Sequence, residues 1–332
     1  MPALEGFINM YDIAARLKLS GDSNEQLQGR MLEAQAQTND IWRILHVQAC
    51  NDGTGEKVML RESLPEMAWR MINRGIKPTK TGSRIARYTT GGIEDFSNVD
   101  ERILKLYQDK GAKDAYRMSE IKGKQMAATN QMSKTIFYGD EKTNPAGFTG
   151  LSAHYNKIQG AKGLWKDQVV DAGGTGNNLT SIWFIASSSE TVYGLYPSGT
   201  TGGYHYEDNG KVYVEDDLGG HFWAYQGQIT WDFGIAVRDP RYVVRLANVD
   251  VTNFNDADFK KKLIDAYDRI QDTRYPISVL CNRQAQTYLD QMAAQGTNAF
   301  TSADWFGQKI THYWGAPILR NDAISCNETQ IV

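Results

Sequence analysis

Residues 229–250 read ITWDFGIAVRDPRYVVRLANVD. Ile229, Trp231, Phe233, Ile235 and Val237 alternate strictly with Thr230, Asp232, Gly234, Ala236 and Arg238. Successive side chains of a strand point to opposite faces, so this period of two predicts a β-strand with one buried face. Asp239-Pro240 turns the chain, and Tyr242 to Leu246 is predicted to return as a second strand. Downstream, a helix is expected over about 257–270 with Asn255 as N-cap. A short strand over 276–280 leads into a helix capped by Asn282 and ending near Gly296. A last strand is expected over 317–320.

Upstream, Met118, Ile121, Ala128, Met132 and Ile136 recur at helical spacing and form one apolar stripe. They predict the longest helix, about 113–138, ending at Gly139-Asp140, followed by a loop to Gly150. The stretch 160–220 is rich in Gly, Ser and Thr with short β runs such as Ser181 to Ala186. At the other end, Ser23-Asn-Glu-Gln26 has the form of a capping box and 24–45 reads as a polar helix lying along another surface. Asp52-Gly53 is a turn signal. Ser63-Leu-Pro-Glu66 reads as a second capping box, starting a helix that Gly75 would end. The mixture predicts an α+β protein with no repeat of 20–50 residues.

The chain has 332 residues and a net charge of -3, from 36 basic and 39 acidic side chains. That length suggests about two domains, and the balance excludes a globally basic nucleic-acid binder. Locally the charge is uneven. Between Met67 and Ile93 there is no acidic residue, while Arg70, Arg74, Lys77, Lys80, Arg84 and Arg87 form a basic tract. Glu94, Asp95, Asp100 and Glu101 follow at once. The residues leave three readings open: a solvated arm, an electrostatic contact between subunits, or nucleic-acid contact. Only Trp69 and Tyr88 flank the tract as stacking aromatics.

A search for chemistry finds little. Cys50, Cys281 and Cys326 are odd in number with no CxxC pair, which argues against a disulfide framework and for a reducing compartment. No signal peptide is visible, and no apolar run is long enough to span a bilayer. His46, His154, His205, His221 and His312 stand at no metal-ligand spacing. Gly53-Thr-Gly55-Glu-Lys57 reads as a hairpin turn, and Gly173-Gly-Thr-Gly176 lacks the strand and helix of a dinucleotide site. Glu215-Asp216-Asp217 reads as a solvated turn. The aromatics between Trp183 and Tyr242 suggest core or subunit interface, with a carbohydrate platform as the alternative. No catalytic residue, cofactor or metal is expected.

Several segments, in their order, resemble the major capsid proteins of tailed bacteriophages, short-tailed (podovirus-like) ones in particular. They are LPEMAWRMINRGIKPT, TTGGIEDFSNVDERILKLY, TIFYGDEKTNPAGFTGLSAHYN, TVYGLYPSGTTGG, the stretch quoted first, YPISVLCNRQAQTYLDQMA and WGAPILRNDAI. Together they span nearly the whole chain. The resemblance implies a Hong Kong 97-like fold: an N-terminal helical arm (1–50), an extended loop (51–96), a peripheral domain with a long spine helix (97–165), a Gly- and aromatic-rich segment inserted from the axial domain (166–217), peripheral-domain strands (218–252) and an axial domain (253–332).

It also implies a structural, non-enzymatic protein that self-assembles into hexamers and pentamers of an icosahedral head around double-stranded DNA. Assembly would take place in the host cytoplasm. Its partners would be itself, with cement, scaffold and portal proteins, weak inner-surface contact with packaged DNA, and no membrane. Arg70, Arg74, Lys77, Lys80, Arg84, Arg87, Glu94 and Asp95 are then the inter-subunit contact residues of the extended loop. Some relatives form a Lys-Asn cross-link, for which Lys77 or Lys80 would be candidates; no cross-link is the default expectation. An encapsulin-type compartment is the alternative within the fold, and an intracellular carbohydrate-binding or carbohydrate-active protein the alternative outside it.

Overall fold

The computed structural model describes residues 9–19, 39–63, 65–158, 165, 167–200, 202–250, 256–294, 300–305 and 308–332. In chain order, α1 (Met10–Lys18) and α2 (Ile41–Ile44) precede β1 (His46–Ala49), β2 (Gly55–Ser63), β3 (Gly82–Thr89) and β4 (Gly91–Asp100). Then come α3 (Glu101–Lys105), α4 (Lys110–Tyr138), α5 (Leu151–His154), β5 (Val169–Asp171), β6 (Leu179–Ala186), β7 (Val192–Tyr196), β8 (Gly203–Glu215), β9 (His221–Val237) and β10 (Val243–Asp250). The chain closes with α6 (Asp256–Asp268), β11 (Ile277–Cys281), α7 (Arg283–Ala294), β12 (Phe300–Trp305), β13 (Gln308–Tyr313) and β14 (Ala316–Arg320).

The alternating segment is the organising strand of the first sheet. Ile229, Trp231, Phe233, Ile235 and Val237 are all buried. β9 pairs along one edge with β4, and along the other with β7 near Val237 and β8 further out. β1 completes this five-stranded sheet in parallel with β7. The helical stripe is also as expected: Ile121, Ala128, Met132 and Ile136 on α4 are buried in the same cluster. Gly139 ends the helix, where a Cβ would collide with the Phe148 and Thr135 carbonyl oxygens.

The second sheet has seven strands in the order β12-β13-β14-β11-β6-β10-β5. β6 is buried along its whole length because both faces are covered. Ile182, Phe184 and Ala186 join the cluster containing Phe259 and Leu263 of α6 and Leu289 and Met292 of α7. Trp183 and Ile185 join the cluster shared with α4 and the first sheet. Asn282 caps α7 through Ala285 N–H at 2.8 Å, and its amide also donates to Thr180.

Two expectations are corrected, one hairpin is unforeseen, and a further group of expectations falls outside the described residues. Ser63-Leu-Pro-Glu66 starts no helix: residues 65–81 are irregular with one turn, since a short isolated segment with no surface to pack on does not sustain a helix. Tyr242–Leu246 does not pair back onto β9; after a 3-10 turn at Pro240–Tyr242, β10 crosses into the seven-stranded sheet between β6 and β5. The hairpin of β12 and β13 has no counterpart in the sequence reading. The capping box at 23–26, most of the helix over 24–45, Asn255 and Gly296 lie outside the described residues.

The turn between β13 and β14 is unusual. Tyr313 pairs with Ala316, leaving a two-residue loop in which Trp314 and Gly315 have φ of 49° and 82°. Positive φ at both positions is the type I′ hairpin geometry, which favours Asn-Gly. At the other positive-φ non-glycine positions described, the chain uses Asn or Asp: Asn73, Asp167 and Asn248. Trp314→Asn is therefore expected to stabilise the subunit by about 0.5–1 kcal/mol, read as a raised urea midpoint. An unchanged or lowered midpoint would show that the indole contributes more by packing than the turn loses by strain.

Candidate interaction surface

Two hairpins project from the body, and each is a ribbon of only two strands where it leaves the fold. The first is the arm β2–β3, a sheet of its own. Its root is anchored: Val58, Leu60 and Tyr88 are buried in the main cluster. Tyr88 donates its hydroxyl to Val237 O at 2.9 Å, and Tyr193 donates to the buried Glu56 at 3.2 Å. Glu56 also accepts from Asn51 N–H at 2.8 Å. Gly53 turns the base of the arm at φ 65°, and Lys57 reaches Asp52 at 2.9 Å across that turn.

Beyond the root none of the described residues covers the arm within the subunit. Met67, Trp69, Met71, Ile72 and Ile76 are exposed, Trp69 completely at 101% and Ile72 at 92%. Arg70, Arg74, Lys77 and Lys80 are exposed among them, and Arg84 and Arg87 are exposed on β3. Among the described residues Arg70 donates to the Arg74 carbonyl, and Arg87 lies 3.7 Å from Asp52. Five large apolar side chains in water beside six cations form a surface suited to burial against an acidic, partly apolar partner. The basic residues were legible in the sequence. The apolar ones were hidden because they follow neither a strand nor a helix period.

Glu94 and Asp95 are placed differently. They lie on β4 in the body, where Gln228 donates to Glu94 and Lys124 of α4 reaches Asp95 at 2.6 Å. Their carboxylates are engaged by their own chain. Arg117 of α4 likewise holds Asp208 of β8 at 2.6 Å, so Arg117 and Lys124 tie the long helix to the sheet, while Lys211 of β8 holds Glu101 of α3 at 2.9 Å.

The second ribbon is the outer part of β8–β9. β4 ends at the Asp100–Ala224 pair, while β8 and β9 continue through Tyr213–Trp223 to Glu215–His221. At its tip Asp216 accepts from Leu218 and Gly220 N–H and fixes the turn. Glu215, Asp216, Asp217 and Leu218 are all exposed, as are Tyr213 and Trp223 beside them. This triad, read from sequence as a solvated turn, is solvated in the subunit.

A cavity of about 420 Å³ opens at the arm root between Arg84, Arg87, Glu141, His154 and Trp165. His154 stacks on Trp165, and its buried Nε2 has no partner among the described residues. Burial, and secondarily Arg84, pushes the imidazole down to about 4. The unfolded chain binds this proton near pH 6.5 and the folded one only near 4, so stability is lost as pH falls through that window. Acidifying the subunit from pH 7 to pH 4 is expected to remove on the order of 2–3 kcal/mol through this group. His154→Leu should flatten that part of the profile; an unchanged profile in the variant would assign the loss to other groups.

The aromatics of 183–242 are mostly interior. Trp183, Tyr193, Tyr204, Trp231 and Phe233 are at most 1% exposed, which removes them as a carbohydrate platform. Cys50 and Cys281 are buried thiols, and burial pushes Cys50 up to about 11. Among the described residues no cluster of His, Cys, Asp or Glu is arranged to hold a metal ion, and no helix is long and apolar enough to cross a membrane.

The family model for the major capsid protein GP7 matches residues 22–332. The chain belongs to this family. Among solved structures it is similar to that of bacteriophage Epsilon15, at 28% identity over 86% of each chain with a TM-score of 0.62. It is also similar to the bacteriophage JBD30 capsid, at 10% identity over 93% of this chain and 98% of that one with a TM-score of 0.53, a likeness of fold alone. No curated protein matches. The α+β architecture is thus the Hong Kong 97-like capsid fold, and the chain is a phage major capsid protein, a structural subunit of an icosahedral shell in the virion. The two projecting ribbons belong to a molecule whose neighbours are copies of itself.

Proposed function

We propose that this major capsid protein assembles as hexamers and pentamers in the host cytoplasm and closes a head around double-stranded DNA. The β2–β3 arm, with residues 65–81 at its far end, lies on a neighbouring copy and carries much of the contact. The observation behind this reading is the arm itself: a ribbon rooted in the core, with Met67, Trp69, Met71, Ile72 and Ile76 exposed amid cations. An isolated two-stranded ribbon is marginal in water and gains its stability from whatever covers it. Heterologous contacts, one patch meeting a different patch on the next copy, generate the closed rings a shell needs. The protein works by binding rather than turnover, with packaged DNA touched weakly and cement, scaffold and portal as further partners.

The sheet pairings support a division slightly different from a simple run along the chain. Residues 1–50 form the N-terminal arm and 51–90 the extended loop, with β4 joining the peripheral domain instead. The peripheral domain takes 97–165 with β8 and β9. The axial domain takes β5, β6 and β10 together with 253–332.

Replacing residues 66–80 by Asn-Gly tests the reading. The subunit should keep its circular dichroism and its unfolding midpoint, because the tip touches little of its own chain. Shells should be absent by sedimentation and electron microscopy. Normal shells from the shortened arm would remove the arm from the contact.

A further inference from the structure

Residues 207–211 read Glu-Asp-Asn-Gly-Lys, and Asn209-Gly210 is the single Asn-Gly pair of the chain. An asparagine in that position is open to attack by the next backbone nitrogen, because glycine carries no β-carbon to shield it. The fold leaves the pair free to react. β8 holds one extra residue here: Asp208 pairs with Gly227 and Gly210 with Gln226, so Asn209 bulges out between them, unpaired in the ladder and exposed. Gly210 closes the bulge at φ 71°. Its N–H donates to Asp208 Oδ1 at 2.9 Å, which seats a carboxylate on the proton the nucleophile must lose. Arg117 holds that same oxygen at 2.6 Å.

We propose that Asn209 is a self-modification site, at which Asp208 acts as general base for loss of the side-chain amide. Asp208 takes the Gly210 amide proton while the nitrogen lone pair forms a bond to Asn209 Cγ. The carbonyl π pair moves onto Oδ1; as it returns, the Cγ–Nδ2 bond breaks and Nδ2 leaves with the proton as ammonia. The product is a five-membered succinimide. Water then opens the ring. Breaking the new N–Cγ bond leaves aspartate at position 209. Breaking the other C–N bond leaves isoaspartate, with the main chain running through Cβ and Cγ.

The change matters because the amide of Asn209 is the middle of a ladder across three strands. It donates to Gln226 Oε1 at 3.1 Å and to Gln228 Oε1 at 3.5 Å, both on β9. On the far side Gln226 donates to Asn98 and Gln228 to Glu94, both on β4. A carboxylate at 209 cannot donate, so both bonds from β8 are lost. Turning Gln228 to face the new charge aims its own oxygen at Glu94. The added charge also lands beside Glu207 and Asp208. Conversion therefore loosens the β8–β9 ribbon from the Lys211–Tyr225 pair outward.

Incubation of the full-length subunit in mildly alkaline buffer, followed by peptide mass mapping, tests this. The peptide holding Asn209 should gain about 1 Da ahead of every other asparagine-containing peptide. Part of the product should label as isoaspartate, and its rate in the folded subunit should lie within about threefold of that in urea. Asp208→Ser keeps an acceptor for the Gly210 N–H without the base; it should slow the folded reaction at least tenfold and leave the urea rate unchanged. Arg117→Gln should not slow it, since the carboxylate stays on Gly210. In Asn209→Asp, amide exchange over 211–225 should be faster than in the wild type. A folded rate more than tenfold below the urea rate would mean that the bulge protects Asn209, and the site falls. Equal slowing by Asp208→Ser and Arg117→Gln would give the effect to the ion pair and remove the base. Unchanged exchange in Asn209→Asp would remove the ladder as the thing modified.

Discussion

Glu328→Ala is expected to lower the stability of the unassembled subunit by about 3–5 kcal/mol, among the largest effects available to a single change in this chain. Glu328 is buried, and Arg245 of β10 meets its carboxylate at 2.9 Å. The same guanidinium donates to Ser181 Oγ at 2.9 Å and the Tyr155 carbonyl at 2.8 Å, and lies over the Trp183 ring at 5.0 Å. Tyr138, the last residue of α4, and Ser181 both donate to Glu328, while Glu328 N–H donates to the Leu179 carbonyl. The pair thus joins the long helix, the seven-stranded sheet and the segment after β14 at one point. Removing the carboxylate strands a buried guanidinium, and that stranded charge sets the size of the effect. Arg245→Met combined with Glu328→Leu should destabilise by several kcal/mol less than the sum of the two single changes, since no buried charge remains. Urea unfolding of Glu328→Ala and of the four species of this cycle is the measurement. A Glu328→Ala loss below about 1 kcal/mol would mean that water reaches the site.

Trp42→Ala is expected to cost about 3–5 kcal/mol by leaving a cavity. Trp42 is 1% exposed, and its ring stands 4.9 Å from both Trp231 and Phe233, pinning the N-terminal segment to the alternating strand. Its Nε1–H has no partner among the described residues. Trp42→Phe should therefore be much milder than the alanine change, because it removes the unsatisfied donor along with some volume. Equal losses in the two variants would show that the indole is held by its shape alone.

These residues also mark what the sequence discloses. The strand at 229–237 and the helix stripe from Ile121 to Ile136 were readable because each buries one face against a single extended surface, and burial then follows the period of the backbone. Asn282 was readable because a cap is a local bond. β10 was readable as a strand but not as a member of the other sheet, since period says nothing about the partner. The false helix after Ser63 had good local signals at its start, but none of the described residues buries Met67, Met71 or Ile72. At the interaction surface, the basic tract was visible by composition. The engagement of Asp95 by Lys124, 29 residues away, was not.

The 29 residues of α4 run about 43 Å, tied to the sheet at Arg117 and Lys124 and to the buried Glu328 at Tyr138. Such a member behaves as a girder: it resists bending far better than two unsupported strands do. Any closed shell must vary its curvature from place to place. In this protein the compliance for that lies in the ribbons, so subunits in sharper and flatter parts of the wall should superpose through the girder and differ in the angles at which arm and tip leave it.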